Sequence, residues 1–433
     1  LATDQEVLGS NPSRRTKIMM LNKQLNFIVF FSLLIKIIFV IFFHEKFLSD
    51  EWAILYENFK NYKAYSYYVF EEQGIPSSYM PPLYFSFIYL NEILSFDKIN
   101  FIYLIYFNQI LISTLTVIIF YQICKLFFKE NFALLGALIF SMFPLMIYCN
   151  GLISSTCLQL FFYLLFLKLY LKILSNDLNK LNIFFLILVS VLTLLLRGEF
   201  LIIYIFLLIF LIFVNKKNFI HALLILLFTT ILISPYAIRN YINTGKAHIV
   251  NVSGYALWKG NNELARVEGF RNPLHPDSRD SWPNNPKFEN LYNKLDKINK
   301  DKKYEINRDK VFKEEAINNI ILNKKKYFLL YLKKFFSYFF IDINSSMKNY
   351  YNPAHTLPIL LFSILSLPGA IIGFKKIKNT QIIYLFLTCC LLVGFISIFF
   401  ILPRYKISII SFQILFSIFF IEYLSKRIFK KKL

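Results

Sequence analysis

The chain has 433 residues, of which 57% are hydrophobic and 17% are charged. Soluble domains contain about 45–50% apolar and about 25% charged residues, so this composition excludes an ordinary water-soluble protein. The formal net charge is +22, but much of the excess lies in short clusters between apolar blocks, where it sets membrane orientation. We therefore predict a polytopic membrane protein that contacts membrane lipids and binds no nucleic acid.

Residues 1–18 have no hydrophobic periodicity, and Met19 is the first methionine. We predict that 1–18 are a non-native or disordered extension and that translation begins at Met19 or Met20. The apolar run that follows has no small-residue cleavage site, which favours a retained span over a signal peptide.

The apolar residues fall in blocks of roughly 20, which is the length that crosses a hydrocarbon core about 30 Å thick. The predicted fold class is an all-α polytopic membrane protein with about ten transmembrane helices. The predicted spans are 25–43, 100–124, 132–149, 155–174, 181–196, 200–214, 218–237, 356–374, 381–402 and 407–424. They divide the chain into an N-terminal transmembrane module (19–237), a small α-rich extracytoplasmic region (238–355), and C-terminal transmembrane helices with a basic cytoplasmic tail (356–433).

With these spans, the lysine and arginine clusters all fall on one side of the membrane. They are Arg14–Lys23, Lys125 with Lys129, Lys172 with Lys180, Lys216–Lys217, Lys375–Lys378 and the tail Lys426–Lys432. The excess of basic residues marks that side as cytoplasmic. The extracytoplasmic side then receives the segments 44–99, 150–154, 197–199, 238–355 and 403–406.

Two outer segments carry further helical patterns. Pro82–Leu94 is apolar but too short to cross, so we predict a helix in the outer interface. From Tyr304 to about Ile341 the pattern is helical, whereas the first half of 238–355 is predicted to form loops. Lys333 and Lys334 interrupt an aromatic run, which is typical of an interfacial helix with snorkelling lysines.

The outer segments also contain adjacent charges. Asp50 and Glu51 follow the first span and suit a general base or a cation ligand, although an acidic pair is also common at a helix start. Arg197 and Glu199 separate two apolar runs. Arg197 lies on the side that is poor in basic residues, which indicates an anionic partner; the alternative is an ordinary interfacial turn.

Three later motifs lie on the same side, and two of them suit binding of a sugar or a phosphate. Arg239 and Asn240 close one span at the outer interface. Trp258 is followed closely by Asn261 and Asn262, which could stack on a sugar and bind its hydroxyls, or could form an interfacial loop. The sequence Arg404–Tyr405–Lys406 could bind a phosphate or anchor the chain at lipid headgroups.

Several other kinds of site are not predicted. The five cysteines lie within or at the ends of apolar runs, and the five histidines are scattered. A disulfide framework, a cysteine-based metal site or a zinc motif is therefore not expected. The sequence contains no glycine-rich phosphate loop, so ATP-driven pumping has no support.

Taken in order, these motifs resemble the membrane glycosyltransferases of the GT-C fold class. The bacterial branch concerned includes protein O-mannosyltransferases, the lipid A aminoarabinose transferase and lipopolysaccharide galacturonosyl transferases. The resemblance covers the chain from about residue 20. It rests on Asp50–Glu51, Pro81–Tyr84, Arg197–Glu199, Pro235–Asn240, Leu257–Asn262, Ala316–Ile321 and Pro403–Tyr405. Departures are Met80 where relatives have His or Lys, Ser154–Thr156 where a Glu is common, and Tyr236 for Trp.

The resemblance implies a GT-C-like bundle in the bacterial inner membrane, with its active site on the periplasmic side. The donor would be a polyprenyl-phosphate-linked sugar and the acceptor a lipid, glycan or protein. Some relatives use a divalent cation (Mg²⁺, Mn²⁺ or Zn²⁺) and others do not. The implied catalytic residues are Asp50 as general base and Glu51. The implied phosphate ligands are Arg404, Arg239, Lys406 and Tyr405. The implied sugar or substrate contacts are Arg197, Glu199, Tyr84, Asn240, Trp258, Asn261 and Asn262.

Two other functions remain open. A polysaccharide polymerase or O-antigen ligase would centre its activity on 238–355 and give Asp50 no special role. A lipid-linked sugar flippase would show repeat symmetry and charges within its spans. The predicted spans carry little charge apart from Lys36 and Lys168, so transport is disfavoured.

Overall fold

The structure is a computed structural model that describes residues 12–96, 100–175, 179–214, 216–269, 288–345, 347, 350–377 and 380–430. Its helices are α1 Pro12–Phe42, α2 Asp50–Tyr62, α3 Pro82–Ser95, α4 Phe101–Lys125, α5 Glu130–Met142, α6 Pro144–Tyr148, α7 Thr156–Leu174, α8 Lys180–Leu196, α9 Phe200–Val214, α10 Phe219–Thr244, α11 Ser253–Gly260, α12 Glu289–Asp296, α13 Tyr304–Leu322, α14 Lys324–Phe339, α15 Pro353–Ile377, α16 Thr380–Ile396 and α17 Ile407–Lys430. Short 3₁₀ turns occur at Cys149–Gly151, Lys216–Asn218 and Pro403–Lys406.

The apolar blocks of the sequence coincide with helices. Six described helices are long and apolar enough to cross a membrane: Lys23–Phe42, Phe101–Lys125, Thr156–Leu174, Phe219–Thr244, Pro353–Lys375 and Pro403–Ile428. A seventh candidate is the pair α5 and α6, which bends by 53° where Pro144 begins the second helix. The chain is therefore a helical protein embedded in a membrane.

Three predicted spans form shorter apolar helices. Helices α8 and α16 have 17 residues and α9 has 15, so each is at most about 25 Å long at 1.5 Å per residue. The count of ten membrane crossings stays a prediction. The last of these helices also corrects a boundary, because the span predicted at 381–402 ends at Ile396 and continues as a non-helical link.

The bundle core forms where small residues let helices approach closely. Helix α15 packs along α17, and a Cβ atom at Gly369 would overlap the carbonyl oxygen of Phe416. Ile409, Ile414 and Ile418 of α17 are fully buried. One face of α9 and of α10 instead exposes apolar side chains, including Phe213 at 85%, as expected for helix faces that contact lipid.

Part of the predicted extension 1–18 is described. Residues 12–18 form the first turns of α1, whereas residues 1–11 lie outside the described residues. The non-native origin of the extension stays a prediction.

Segment 44–99 contains α2, α3 and a β-hairpin that the all-α prediction missed. Strands β1 Ser66–Phe70 and β2 Gln73–Pro76 are antiparallel, with Val69 opposite Gly74 and Phe70 opposite Gln73. The helix predicted at Pro82–Leu94 is present as α3.

In the described part of segment 238–355, α11 packs on α13. The buried Asp309 carboxylate accepts hydrogen bonds from the backbone N–H groups of Gly254 (3.0 Å) and Tyr255 (2.9 Å) at the start of α11. Helix α13 buries Phe312 and Ala316 but leaves Ile317 and Ile321 exposed. The helical pattern from Tyr304 is confirmed, whereas α11 and α12 form within the part predicted to be loops.

One prediction about α14 is wrong. Lys333 is exposed as expected, but Lys334 is only 1% exposed and does not snorkel. Its ammonium group donates to the carbonyl oxygens of Gly260 (2.6 Å) and Phe399 (3.0 Å). The side chain therefore points into the protein because two buried carbonyl groups need a donor there.

Candidate functional site

A cavity of about 540 Å³ lies where several segments that connect the apolar helices meet. Four of the five segments predicted on the extracytoplasmic side contribute to its lining, namely 44–99, 197–199, 238–355 and 403–406. The fifth, 150–154, adjoins it through Glu45, whose carboxylate accepts a hydrogen bond from the N–H of Ile153 (2.8 Å). Asp50 and Arg404, which are 354 positions apart in the sequence, therefore share one site.

The start of α2 gives the cavity its acidic wall. Asp50 and Glu51 both line it, followed by Trp52. Asp50 has a φ of +52°, in the left-handed region that L residues occupy uncommonly. Ser49, at the N-cap position, makes no side-chain capping bond. Strained backbone of this kind is often found at functional sites.

Glu45 is a third carboxylate beside this wall. Burial raises the pKa of the Glu45 carboxyl, while the N–H of Ile153 and the charge of Arg404 oppose that shift. Asp50 raises it further through charge repulsion. Glu45 and Asp50 are therefore electrostatically coupled, although sequence reasoning did not select Glu45.

The turn between α8 and α9 places a guanidinium group in the cavity. Arg197 Nε donates to Glu199 Oε1 at 2.6 Å, and the guanidinium carbon lies 5.5 Å from the centre of the Tyr405 ring. Burial alone would lower the pKa of Arg197, but Glu199 and Tyr405 raise it above its ordinary value. Arg197 therefore stays charged, with Glu199 and Tyr405 fixing its position.

The Pro403–Lys406 turn divides its side chains between two environments. Arg404 and Tyr405 line the cavity as predicted. Lys406 does not, because it is 2% exposed and pairs with the buried carboxylate of Glu268 at 2.9 Å. Its ammonium group also donates to the carbonyl oxygen of Ser337 (2.6 Å). The phosphate contact predicted for Lys406 is therefore replaced by a structural ion pair.

Arg239 and Asn240 lie outside the cavity lining. Arg239 donates to the carbonyl oxygen of Ser77 (2.5 Å), and Asn240 donates to the carbonyl oxygen of His248 (2.7 Å) and is fully buried. These bonds fasten the end of α10 to the neighbouring loops. Neither side chain lines the cavity, and backbone carbonyls accept hydrogen bonds from both, so the phosphate and substrate roles of Arg239 and Asn240 stay predictions.

The four remaining predicted contacts also lie behind the cavity wall. Trp258 is 0% exposed, with its ring centre 5.0 Å from that of Phe312. Asn262 donates to the carbonyl oxygen of Trp258 (3.0 Å), and Asn261 donates to that of Ile398 (2.8 Å). The Tyr84 hydroxyl donates to Gln109 (3.0 Å) within the core. These side chains support the wall instead of presenting themselves to a ligand.

The structure adds residues that sequence reasoning did not select. Tyr255 and Lys259 of α11 line the cavity, and so does an apolar wall formed by the end of α16 and the link after it, comprising Phe395, Ile396, Phe399, Phe400 and Leu402. Lys259 lies within the Leu257–Asn262 motif, so the sequence had already indicated this part of the chain as a candidate for the site. The motif did not reveal that Lys259, and not Trp258, faces the cavity.

Among the described residues, no group of three or more His, Cys, Asp or Glu side chains is arranged to hold a metal ion. The divalent cation used by some GT-C enzymes stays a prediction for this chain. No protein-family model and no curated protein sequence matches the chain.

Proposed function

We propose that the chain is a membrane glycosyltransferase that moves a sugar from a polyprenyl-phosphate donor to a hydroxyl group of a lipid, glycan or protein acceptor. The proposal places this reaction on the extracytoplasmic face of a bacterial inner membrane. One observation carries it. Carboxylates at Asp50 and Glu51 and guanidinium groups at Arg197 and Arg404 line the same cavity.

The reaction needs these two kinds of group together. The acceptor hydroxyl oxygen forms a bond to the anomeric carbon of the sugar, while the bond from that carbon to the donor phosphate breaks. Asp50 takes the hydroxyl proton as general base. The phosphate leaves with the electron pair, and its growing negative charge is stabilised by Arg404.

The size and surroundings of the cavity support this assignment. A volume of about 540 Å³ lies within the range of roughly 300–1,000 Å³ that is usual for small-molecule sites. Glu51 is available to bind the acceptor or a cation. Arg197, fixed by Glu199, and Tyr405 provide further polar contacts beside Arg404.

The test is a comparison of envelope glycolipids and glycoproteins by mass spectrometry. Cells that lack the gene are complemented with the wild type, Asp50→Asn, Arg404→Ala or Glu57→Gln. Asp50→Asn should reduce sugar transfer by about 10²–10⁴-fold, the usual contribution of a general base. Arg404→Ala should weaken use of the donor. Glu57 lies on α2 but outside the cavity lining, so Glu57→Gln should behave as the wild type.

The outcomes separate the alternatives. Normal transfer by correctly inserted Asp50→Asn protein would contradict the role of Asp50. A change confined to glycan chain length or ligation, with no effect of Asp50→Asn, would favour a polymerase or ligase instead.

A further inference from the structure

Helix α7 brings three polar side chains to the site that the proposed mechanism does not use. Ser155, at the N-cap of the helix, and Gln159 line the main cavity, and Gln159 and Tyr163 line a second, smaller cavity. These residues are four positions apart, so they lie on one face of the helix. The helix is otherwise apolar enough to cross a membrane. Ser155, Gln159 and Tyr163 therefore form a polar stripe on an apolar helix.

The smaller cavity adjoins the main one. The two share four lining residues, which are Gln159, Arg197, Glu199 and Ile396. The volume of the smaller cavity is about 20 Å³, which is room for one group of the size of a water molecule. Gln159 therefore lies between a cavity of small-molecule size and a recess that admits a single hydroxyl group or water.

Two polar groups of the stripe make no hydrogen bond with the described residues. One is the Tyr163 hydroxyl, on a residue that is only 4% exposed. The Tyr163 ring is held by edge contacts with Phe200 and Phe412, at 6.3 and 6.1 Å between ring centres. The other is the side-chain amide of Gln159. Buried polar groups are normally hydrogen-bonded, so the Tyr163 hydroxyl in particular indicates a partner from outside the chain.

The chemistry of the stripe fits hydroxyl groups better than a phosphate. The Gln159 amide has both donor and acceptor atoms, and the hydroxyls of Ser155 and Tyr163 also donate and accept. A sugar hydroxyl donates and accepts as well, so it satisfies both kinds of atom. An ionised phosphate oxygen only accepts, so it would leave the Gln159 carbonyl oxygen without a partner, which is unfavourable away from water.

We propose that the polar stripe of α7 binds hydroxyl groups of the transferred sugar. Gln159 is its specificity-determining residue, which makes the protein prefer a sugar-bearing lipid phosphate over the bare lipid phosphate. This inference rests on the proposed function and names the sugar subsite of the same cavity. It places that subsite on α7, whereas the sequence pointed to the segment Trp258–Asn262.

The test measures lipid binding in place of sugar transfer. Purified full-length protein in detergent is titrated with a bare polyprenyl phosphate and with polyprenyl phosphates that carry glucose, mannose or galactose. Native mass spectrometry quantifies the complexes. The variants are Gln159→Met, Tyr163→Phe and the control Gln122→Met, which makes the same change at an exposed position of α4. Thermal unfolding of each variant is measured in parallel.

We expect the wild type and Gln122→Met to bind at least one sugar-bearing lipid more tightly than the bare lipid. Gln159→Met should bind that sugar-bearing lipid roughly two- to tenfold more weakly, the range for one neutral hydrogen bond, and the bare lipid as the wild type does. Tyr163→Phe should change the preference in the same direction. Thermal unfolding of Gln159→Met should match the wild type, because its amide bonds no described protein group.

The outcomes separate this inference from the proposed function. If Gln159→Met keeps the preference for sugar, Gln159 is not the determinant, and equal weakening of both kinds of lipid would assign it a packing role. Wild-type behaviour of Tyr163→Phe would remove Tyr163 from the subsite. If the wild type binds bare and sugar-bearing lipids equally, the inference fails while the proposed function stands. If the wild type binds neither kind of lipid, both fail.

Discussion

The buried pair of Lys406 and Glu268 offers the sharpest prediction about stability. Their side chains are 2% and 0% exposed and approach to 2.9 Å. Lys406 also donates to the Tyr351 hydroxyl (3.0 Å), and Glu268 accepts a bond from Ser337 (2.7 Å). The pair joins the described segment after α11 to the Pro403–Lys406 turn that precedes α17.

Lys406→Met should lower the free energy of unfolding by about 3–5 kcal/mol, because removing one partner of a buried ion pair leaves the other charge uncompensated. The double variant Lys406→Met/Glu268→Gln carries neither charge, so it should cost less than the sum of the two single changes. The exposed pair Lys310–Glu314 (3.8 Å, 66% and 60% exposed) provides the control. Lys310→Met should cost less than about 1 kcal/mol.

The assay is equilibrium denaturant unfolding of the purified protein in detergent micelles, followed by tryptophan fluorescence. The sequence has three tryptophans, of which Trp52 and Trp258 are buried, so unfolding changes their surroundings. The reasoning would be refuted if Lys406→Met cost no more than Lys310→Met. It would also be refuted if the double variant lost the full sum of the two single effects.

Two further predictions concern the junction of α11 with the link after α16. Gly260→Ala should destabilise the protein, because the added Cβ atom would lie 2.5 Å from the Phe399 backbone. Gly373→Ala is the control and should be tolerated, because its Cβ atom meets only an ordinary contact at 3.5 Å. Thermal unfolding of the two variants tests this difference. Burial lowers the pKa of Lys334 from 10.5 to about 7. Between these two pH values the unfolded protein therefore binds one proton more than the folded protein does. The free energy of unfolding of the wild type should consequently rise from pH 7 towards pH 10. Lys334→Met should remove that part of the pH dependence in unfolding measurements, and an unchanged slope would show that Lys334 is not the group responsible.

Local patterns predicted most of the helices correctly. The length of an apolar run and the charges that flank it are properties of consecutive residues, so α4, α7 and α17 follow directly from the sequence. The β-hairpin was missed because its strands are short and stabilised by pairing with each other. The end of α16 was also misplaced, because residues 397–402 are apolar enough to resemble a span, whereas they form a non-helical link from which Phe399, Phe400 and Leu402 line the cavity.

The sequence therefore determined the membrane class of the protein and which segments carry charged side chains near the ends of the apolar blocks. It also selected Asp50, Glu51, Arg197, Glu199, Arg404 and Tyr405, all of which line the cavity. The tertiary structure alone decided the direction of each side chain. Lys406 and Lys334 are buried because carboxylate or carbonyl partners distant in sequence meet them there, whereas Lys259 reaches the cavity because α11 packs with its other face on α13. Such directions depend on contacts between segments far apart in the chain, which no local pattern records.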